Sequence, residues 1–238
     1  MEGVTITAPL ITMQYTRHLI TNRTGYAVKT GTNMIEKVIE VIQHESEALQ
    51  NIPVTKAFES ATLLIHRHVH ELRGKLVTSG LGKAGEIAQN ISTTFSSTGT
   101  PAVFLHPTEA QHGDLGVLQP NDVLLLISNS GKTREVLELV ELAKRLYSDL
   151  PLIVITAKAE SSLAQSADVC LLTGDPAEVC PLGLSPTTST TVMTVIGDAL
   201  IVLMMEKIGF TNEEYAKRHH GGYLGSKSRK QTGQGTGN

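Results

Sequence analysis

Residues 123–146 read Val-Leu-Leu-Leu-Ile-Ser-Asn-Ser-Gly-Lys-Thr-Arg-Glu-Val-Leu-Glu-Leu-Val-Glu-Leu-Ala-Lys-Arg-Leu. Val123–Ile127 is apolar at every position, which suits a strand buried on both faces. Ser128–Thr133 is short, polar and contains a glycine, the composition of a loop. From Glu135 to Leu146 apolar residues return at helical spacing. The same alternation extends to either side. Leu76–Thr78, Ala102–Leu105, Leu152–Thr156 and Val169–Leu172 are further strand candidates, and Glu86–Phe95 and Ser161–Ala167 are amphipathic connections between them. Strands without a polar face, alternating with helices, imply a parallel sheet covered on both sides. The expected fold is therefore α/β, a three-layer doubly wound sandwich around a five-stranded parallel sheet.

Two helices precede this region. One spans Met34–Ile52 on the spacing of Ile35, Val38, Ile39, Ile42, Leu49 and Ile52. The other follows Pro53, is marked by Phe58, Ala61, Leu64, Ile65, Val69 and Leu72, and is ended by Gly74. Two more helices, Thr190–Ile208 and Asn212–His219, close the chain. Residues 1–33 are polar, Thr-rich and aperiodic, and read as a loose extension. Residues 34–225 form the domain, and 226–238 a polar tail holding Lys227, Arg229 and Lys230.

Of the 238 residues, 40% are hydrophobic and 18% charged, a globular composition rather than a disordered one. The net charge of −3 gives no basic face for nucleic acid. The N-terminus lacks a signal-peptide pattern, since Glu2 stands where a cation belongs and threonines break the apolar run near Pro9–Met13. Val192–Met205 is too short to span a bilayer and contains Asp198, so it reads as a core helix. No membrane association and a cytoplasmic location are expected. Cys170 and Cys180 lack C-x-x-C spacing and read as small buried hydrophobes in a reducing compartment.

Ligands of such a sheet bind at the carboxyl ends of its strands. Three loops there carry chemistry. Thr78-Ser79-Gly80-Leu81-Gly82-Lys83-Ala84-Gly85 lets backbone approach an anion at a helix start, but matches neither the dinucleotide fingerprint nor the P-loop. A tight turn explains it equally well. Ser128-Asn129-Ser130-Gly131-Lys132-Thr133 supplies three hydroxyls where one would serve as a cap, and Lys132 adds a cation where acids are the rule. Glu178–Pro186 leads into Thr187-Thr188-Ser189-Thr190-Thr191 at the start of a long apolar helix. His112, in the loop after the second strand, and the His219-His220 pair are acid/base candidates. His66, His68 and His70 alternate; on a helix i, i+2 neighbours point to different faces, and only His66 and His70 could share one. No metal or other cofactor is expected.

Several blocks carry a resemblance. They are Gly-Leu-Gly-Lys-Ala-Gly at 80–85, Ser-Thr-Gly-Thr-Pro-Ala at 97–102, and His-Pro-Thr-Glu-Ala-Gln-His-Gly-Asp-Leu-Gly at 106–116. Ser-Asn-Ser-Gly follows at 128–131, then Cys-Pro-Leu-Gly-Leu-Ser-Pro-Thr-Thr-Ser-Thr-Thr at 180–191, Gly-Asp-Ala-Leu at 197–200 and His-His-Gly-Gly at 219–222. From about Ile35 to Gly225 the chain resembles the sugar isomerase (SIS) domain family, in the arrangement of its arabinose-5-phosphate isomerases. The resemblance implies interconversion of D-arabinose 5-phosphate and D-ribulose 5-phosphate through a cis-enediol, supplying Kdo for lipopolysaccharide. It also implies a homotetramer with active sites shared between subunits. It puts Lys83, Glu135, Glu178, His112 and His219 on active-site positions, and Ser128, Ser130 and Thr133 on the phosphate loop. Ser79, Gly82, Thr187 and Ser189 are further expected substrate contacts. His219 and Glu178 are the leading base candidates, with His219 chosen over His220 by register. The chain departs from the family's pattern at Lys132, where an acid is usual, and at Arg218–Gly222. Members usually carry a pair of CBS modules after the isomerase domain, and a chain of this length is expected to lack them. Feedback is then expected to act on the isomerase domain, with CMP-Kdo competing for the cleft near Lys83, Ser130 and His219. Two alternatives stand beside this reading: another SIS sugar-phosphate isomerase, and a non-catalytic sugar-phosphate sensor.

Overall fold

The computed structural model describes residues 33–221 together with Tyr223, Gly225, Lys227 and Ser228. Apart from Asn33, Lys227 and Ser228, the expected extension and tail lie outside the described residues. Ser228 is buried, and its hydroxyl donates to the Asn212 carbonyl at 2.8 Å, so this residue of the expected tail packs on the fold.

Five strands form one sheet: β1 (Leu76–Gly80), β2 (Ala102–Phe104), β3 (Val123–Ile127), β4 (Leu152–Thr156) and β5 (Val169–Leu172). All pairings are parallel and the order is β2-β1-β3-β4-β5. Leu76 pairs with Ala102 on one side and Val123 on the other, so the winding reverses across β1. That reversal is where ligands of such sheets bind.

The apolar strands feed two cores. Val123, Leu125, Ile127, Ile153 and Ile155 face one, while Leu124, Leu126, Leu152 and Val154 face the other. The first core is closed by α2 (Ala57–Ile65), α3 (Lys83–Ser97) and α7 (Thr188–Lys207), with the C-terminal half of α1 (Met34–Gln50) packed outside them. The second is closed by α4 (Pro107–Ala110), α5 (Arg134–Leu146) and α6 (Ser162–Gln165). Strands β1, β3 and β4 are buried throughout, β3 and β4 as their apolar faces require and β1 with the Thr78 and Ser79 hydroxyls donating to the Ala88 and Leu105 carbonyls. A Cβ on Gly197 would lie 2.4 Å from Ile91 Cδ1, so this glycine sets how closely α7 crosses α3.

Some local structure differs from the sequence expectation. Residues 107–117 hold α4 and a 3-10 turn at Asp114–Val117, both too short to show a period. The second helix opens into a π-helix over His66–Glu71. Its wider turn stacks the His66 and His70 rings at 5.7 Å, and His70 Nε2 meets Thr100 Oγ1 at 3.0 Å. Burial, with His66 and Arg73 nearby, lowers the His70 pKa. Among the described residues no group of three or more His, Cys, Asp or Glu could hold a metal ion.

Helix α7 runs 20 residues, long and apolar enough by length and composition to cross a membrane, yet half of that span is buried inside the fold. Helix α1 buries no residue, and Met34, Ile35, Val38, Ile39 and Ile42 form an exposed apolar stripe along its first half. Helix α8 spans Asn212–Arg218.

Candidate active site

A cavity of about 420 Å³ opens at the carboxyl ends of β1, β3 and β4, lined by residues of four separate loops and of α7. Lys83 and Leu81 come from the turn after β1. Ser128, Asn129, Ser130 and Thr133 follow β3, and Lys158 follows β4. Glu178, Gly183, Leu184 and Pro186 belong to the long segment after β5, and Ser189, Thr190 and Met193 to the first turns of α7. Its size suits a small sugar phosphate. A larger hollow of about 750 Å³ lies between α2 and α7, lined by Val54, Phe58, Leu63 and Leu203 among others, away from these strand ends.

The turn after β1 is tight because its glycines leave no room. A Cβ on Gly85 would lie 2.7 Å from the Gly80 carbonyl oxygen. Gly82 precedes α3 with φ +60°, a conformation that favours glycine, and does not itself line the cavity. Lys83 begins α3 and does line it.

The loop after β3 spends its hydroxyls on itself rather than on capping. Ser128 Oγ and Thr133 Oγ1 share a hydrogen bond of 2.8 Å, and Thr133 makes no side-chain cap to α5 although it holds the cap position. Ser130 Oγ accepts the Lys132 N–H at 3.2 Å, which leaves its proton for an acceptor in the cavity. Hydroxyls and N–H groups at a helix start favour an anion. The Lys132 side chain is exposed and does not line the cavity, so the charge expected of it there is not supplied. Lys158 does line it, paired with Asp175. Sequence reasoning passed over Lys158; its place just beyond β4 was the available signal.

Glu178 is anchored at the start of α7. Its Oε2 accepts from Thr187 N at 2.7 Å, Thr187 Oγ1 at 2.9 Å and Ser189 N at 3.3 Å. Burial raises its pKa, but the hydrogen bonds from Ser189 and Thr187 together outweigh it and hold the carboxyl below its usual range. A carboxylate so held is a poor base. Thr187 is thus a holder of Glu178 rather than a cavity residue, because the carboxylate consumes its donors. Ser79 is also turned inward: it is buried, and its hydroxyl donates to the Leu105 carbonyl at 2.6 Å, tying β1 to the end of β2.

His112, Glu135 and His219 do not line this cavity. His112 is exposed after α4, and Glu135 Oε1 receives Arg134 Nη2 at 3.5 Å in the first turn of α5. The His219 ring stacks on Tyr215 with centroids 3.7 Å apart, and its Nδ1 meets the Tyr215 carbonyl at 3.0 Å. A carbonyl only accepts, so Nδ1 is the donor in that bond. His220 is exposed. Cys170 and Cys180, both expected to be buried hydrophobes, are instead partly exposed, and Cys180 accepts the Ser185 and Leu184 N–H groups at 3.2 and 3.3 Å.

The family model for the SIS domain matches residues 72–203, more than half of the chain. The chain belongs to the SIS domain family. It is 51% identical over 155 residues to the arabinose 5-phosphate isomerase KdsD of Escherichia coli K12, a match that covers 65% of this chain and 47% of that protein. To KdsD of Salmonella typhi it is 43% identical over 201 residues, 84% of this chain and 60% of the relative. This SIS chain therefore spans roughly half to three-fifths of the length of these curated relatives. Among solved structures, a Bacteroides fragilis protein provisionally described as a phosphosugar isomerase involved in capsule formation is 64% identical. Its TM-score is 0.79, and the match covers 80% of this chain and 100% of that one. An Escherichia coli CFT073 protein solved in complex with arabinose 5-phosphate is 37% identical with a TM-score of 0.72, covering 80% of this chain and 99% of that one.

Proposed function

We propose that this SIS chain is an aldose–ketose isomerase acting on D-arabinose 5-phosphate and D-ribulose 5-phosphate. The observation that carries the reading is the cavity itself, which brings the hydroxyl loop Ser128–Thr133, Lys83 and an anionic Glu178 to one small space. Identity to the KdsD enzymes and to the protein solved with arabinose 5-phosphate supports the choice of sugar. The phosphate sits on the Ser128–Thr133 loop. His219 Nε2 takes the proton from C2 of the aldose. The electron pair left behind forms the C1–C2 double bond, and the former carbonyl electrons pass to O1, giving the enediolate. Lys83 stabilises that charge. The O2 proton then passes to O1, and as the O2 carbonyl forms the proton held by His219 returns to C1, which completes the ketose. Glu178 and Glu135 orient sugar hydroxyls or Lys83, and His112 relays protons.

In this proposal four copies assemble, and His112 and His219 complete the cavity of a neighbouring subunit. That accounts for their standing outside the cavity of their own. The enzyme works in the cytoplasm, supplies Kdo synthesis and is inhibited competitively by CMP-Kdo.

A panel of pentose, hexose and heptose phosphates assayed for aldose–ketose conversion tests the reading. Arabinose 5-phosphate should be converted fastest. His219→Ala should lower kcat about 10²- to 10⁴-fold if His219 is the base. A preference for another sugar phosphate, or binding of the pentose phosphate without turnover, would overturn it.

A further inference from the structure

We infer that α1 positions the active-site carboxylate: His44 and Glu45 grip the two residues flanking Glu178 and hold it against the cavity. The inference rests on the reading of that cavity as the isomerase site. Glu178 lies in the 15-residue stretch between β5 and α7, which holds neither helix nor strand. A segment of that kind owes its geometry to whatever pins it from outside.

Helix α1 does so on both sides of Glu178. His44 Nε2 lies 2.8 Å from the Ala177 carbonyl oxygen. Because a carbonyl only accepts, the ring donates there. Glu45 reaches the other side by relay. The Val179 N–H donates to Thr188 Oγ1 at 3.2 Å, and the Thr188 hydroxyl donates to Glu45 Oε1 at 3.0 Å. Thr188 is fully buried. Its one proton goes to Glu45, so its lone pairs face Val179. The end of α1 adds a third point: a Cβ on Gly174 would lie 2.9 Å from the Asn51 carbonyl oxygen.

A second observation sets Glu45 apart from an ordinary packing residue. Its Oε2 is buried and has no hydrogen-bond partner among the described residues. A buried carboxylate oxygen left unbonded costs stability. A threonine anchor kept for stability alone would be served by a side chain without that second oxygen. The cost is explained if what Glu45 provides is the placement of Glu178. Small displacements of such a group matter, since about 1 Å of misplacement can lower turnover on the order of 10²-fold.

The test uses the full chain and reads turnover and local opening separately. Glu45→Ala should lower kcat on the order of 10- to 100-fold with KM changed little, a split that a loss of global stability from the missing Thr188 bond does not by itself produce. It should also speed amide hydrogen exchange in the peptide covering residues 177–189. Glu45→Gln keeps an acceptor for Thr188 and should retain most of kcat. His44→Phe removes the second grip and should lower kcat in the same sense, so the idea stays testable if Glu45→Ala folds poorly. Unchanged kcat and unchanged exchange in both Glu45→Ala and His44→Phe would overturn the inference. So would a Glu45→Gln variant as impaired as Glu45→Ala. If exchange at 177–189 rises but the wild-type chain isomerises no sugar phosphate, the isomerase reading fails and the grip on Glu178 stands.

Discussion

Cys180 and Cys170 separate by environment. The Ser185 N–H, offset in part by burial and reinforced by Leu184 and Leu182, holds the Cys180 thiol below its ordinary pKa, whereas burial pushes Cys170 up. The thiolate is the nucleophile, so at neutral pH Cys180 should react with iodoacetamide well before Cys170. Raising the pH should narrow the difference as Cys170 ionises. Peptide mapping after brief alkylation reads both, and equal labelling at about pH 7 would contradict the assignment. Arabinose 5-phosphate should slow the reaction at Cys180, because Gly183, Leu184 and Pro186 of the same loop line the cavity. At this scale the three loops singled out in the sequence do meet at one cavity, since runs of Gly, Ser and Thr after apolar segments mark strand ends. It could not say where individual hydroxyls point. Thr187 turns to a carboxylate nine residues earlier, and Ser79 to a carbonyl 26 residues later. The reach of His44 and Glu45 to partners 133 and 143 residues away left no local trace.

The loop between β3 and α5 depends on one glycine. Gly131 has φ +60°, and a Cβ there would lie 2.0 Å from Ser161 Oγ and 2.4 Å from Ser161 Cβ. Ser161 in turn caps α6, accepting the Ala164 N–H at 3.3 Å. Gly131→Ala should therefore cost about 1–3 kcal/mol from backbone conformation alone, with a steric share added. It should also weaken binding of the phosphorylated sugar by distorting Ser128 and Ser130. Adding Ser161→Gly should recover the steric share and leave the conformational one. Chemical denaturation of the single and double variants measures both, and a Gly131→Ala chain as stable as wild type would sink the argument. The long elements were legible because their periods are long: all five strands and α1, α3, α5 and α7 lie where alternation between apolar and polar runs puts them. The short α6 falls within the amphipathic stretch Ser161–Ala167, whereas the four-residue α4 and the π-helix at His66–Glu71 depend on tertiary packing, which a period cannot report.

At the scale of the whole molecule, the apolar stripe of α1 and the placement of the two histidines point the same way. Met34, Ile35, Val38, Ile39 and Ile42 are 40–84% exposed on one protomer, and neither His112 nor His219 lines that protomer's cavity. If assembly buries the stripe and completes the site, Ile35→Glu with Ile42→Glu should yield smaller species with much reduced turnover. Each subunit should keep its secondary structure. Light scattering coupled to size exclusion, with activity measured on each fraction, tests this; fully active monomers would refute it. That the sheet would be parallel followed from its two-sided strands, while its order, β2-β1-β3-β4-β5, did not, since strands of one composition can be permuted without changing their burial. That order has a cost during synthesis. Strand β1 is made first among the strands and needs neighbours on both edges, yet β3 emerges only once residue 127 has been added. A parallel sheet offers no hairpin to close the gap, and at about 5–20 residues per second the ribosome takes on the order of seconds to bridge it. Throughout that interval an unpaired edge of β1 is open to other nascent chains. Rapid overproduction should therefore trap this protein in aggregates that slower translation avoids.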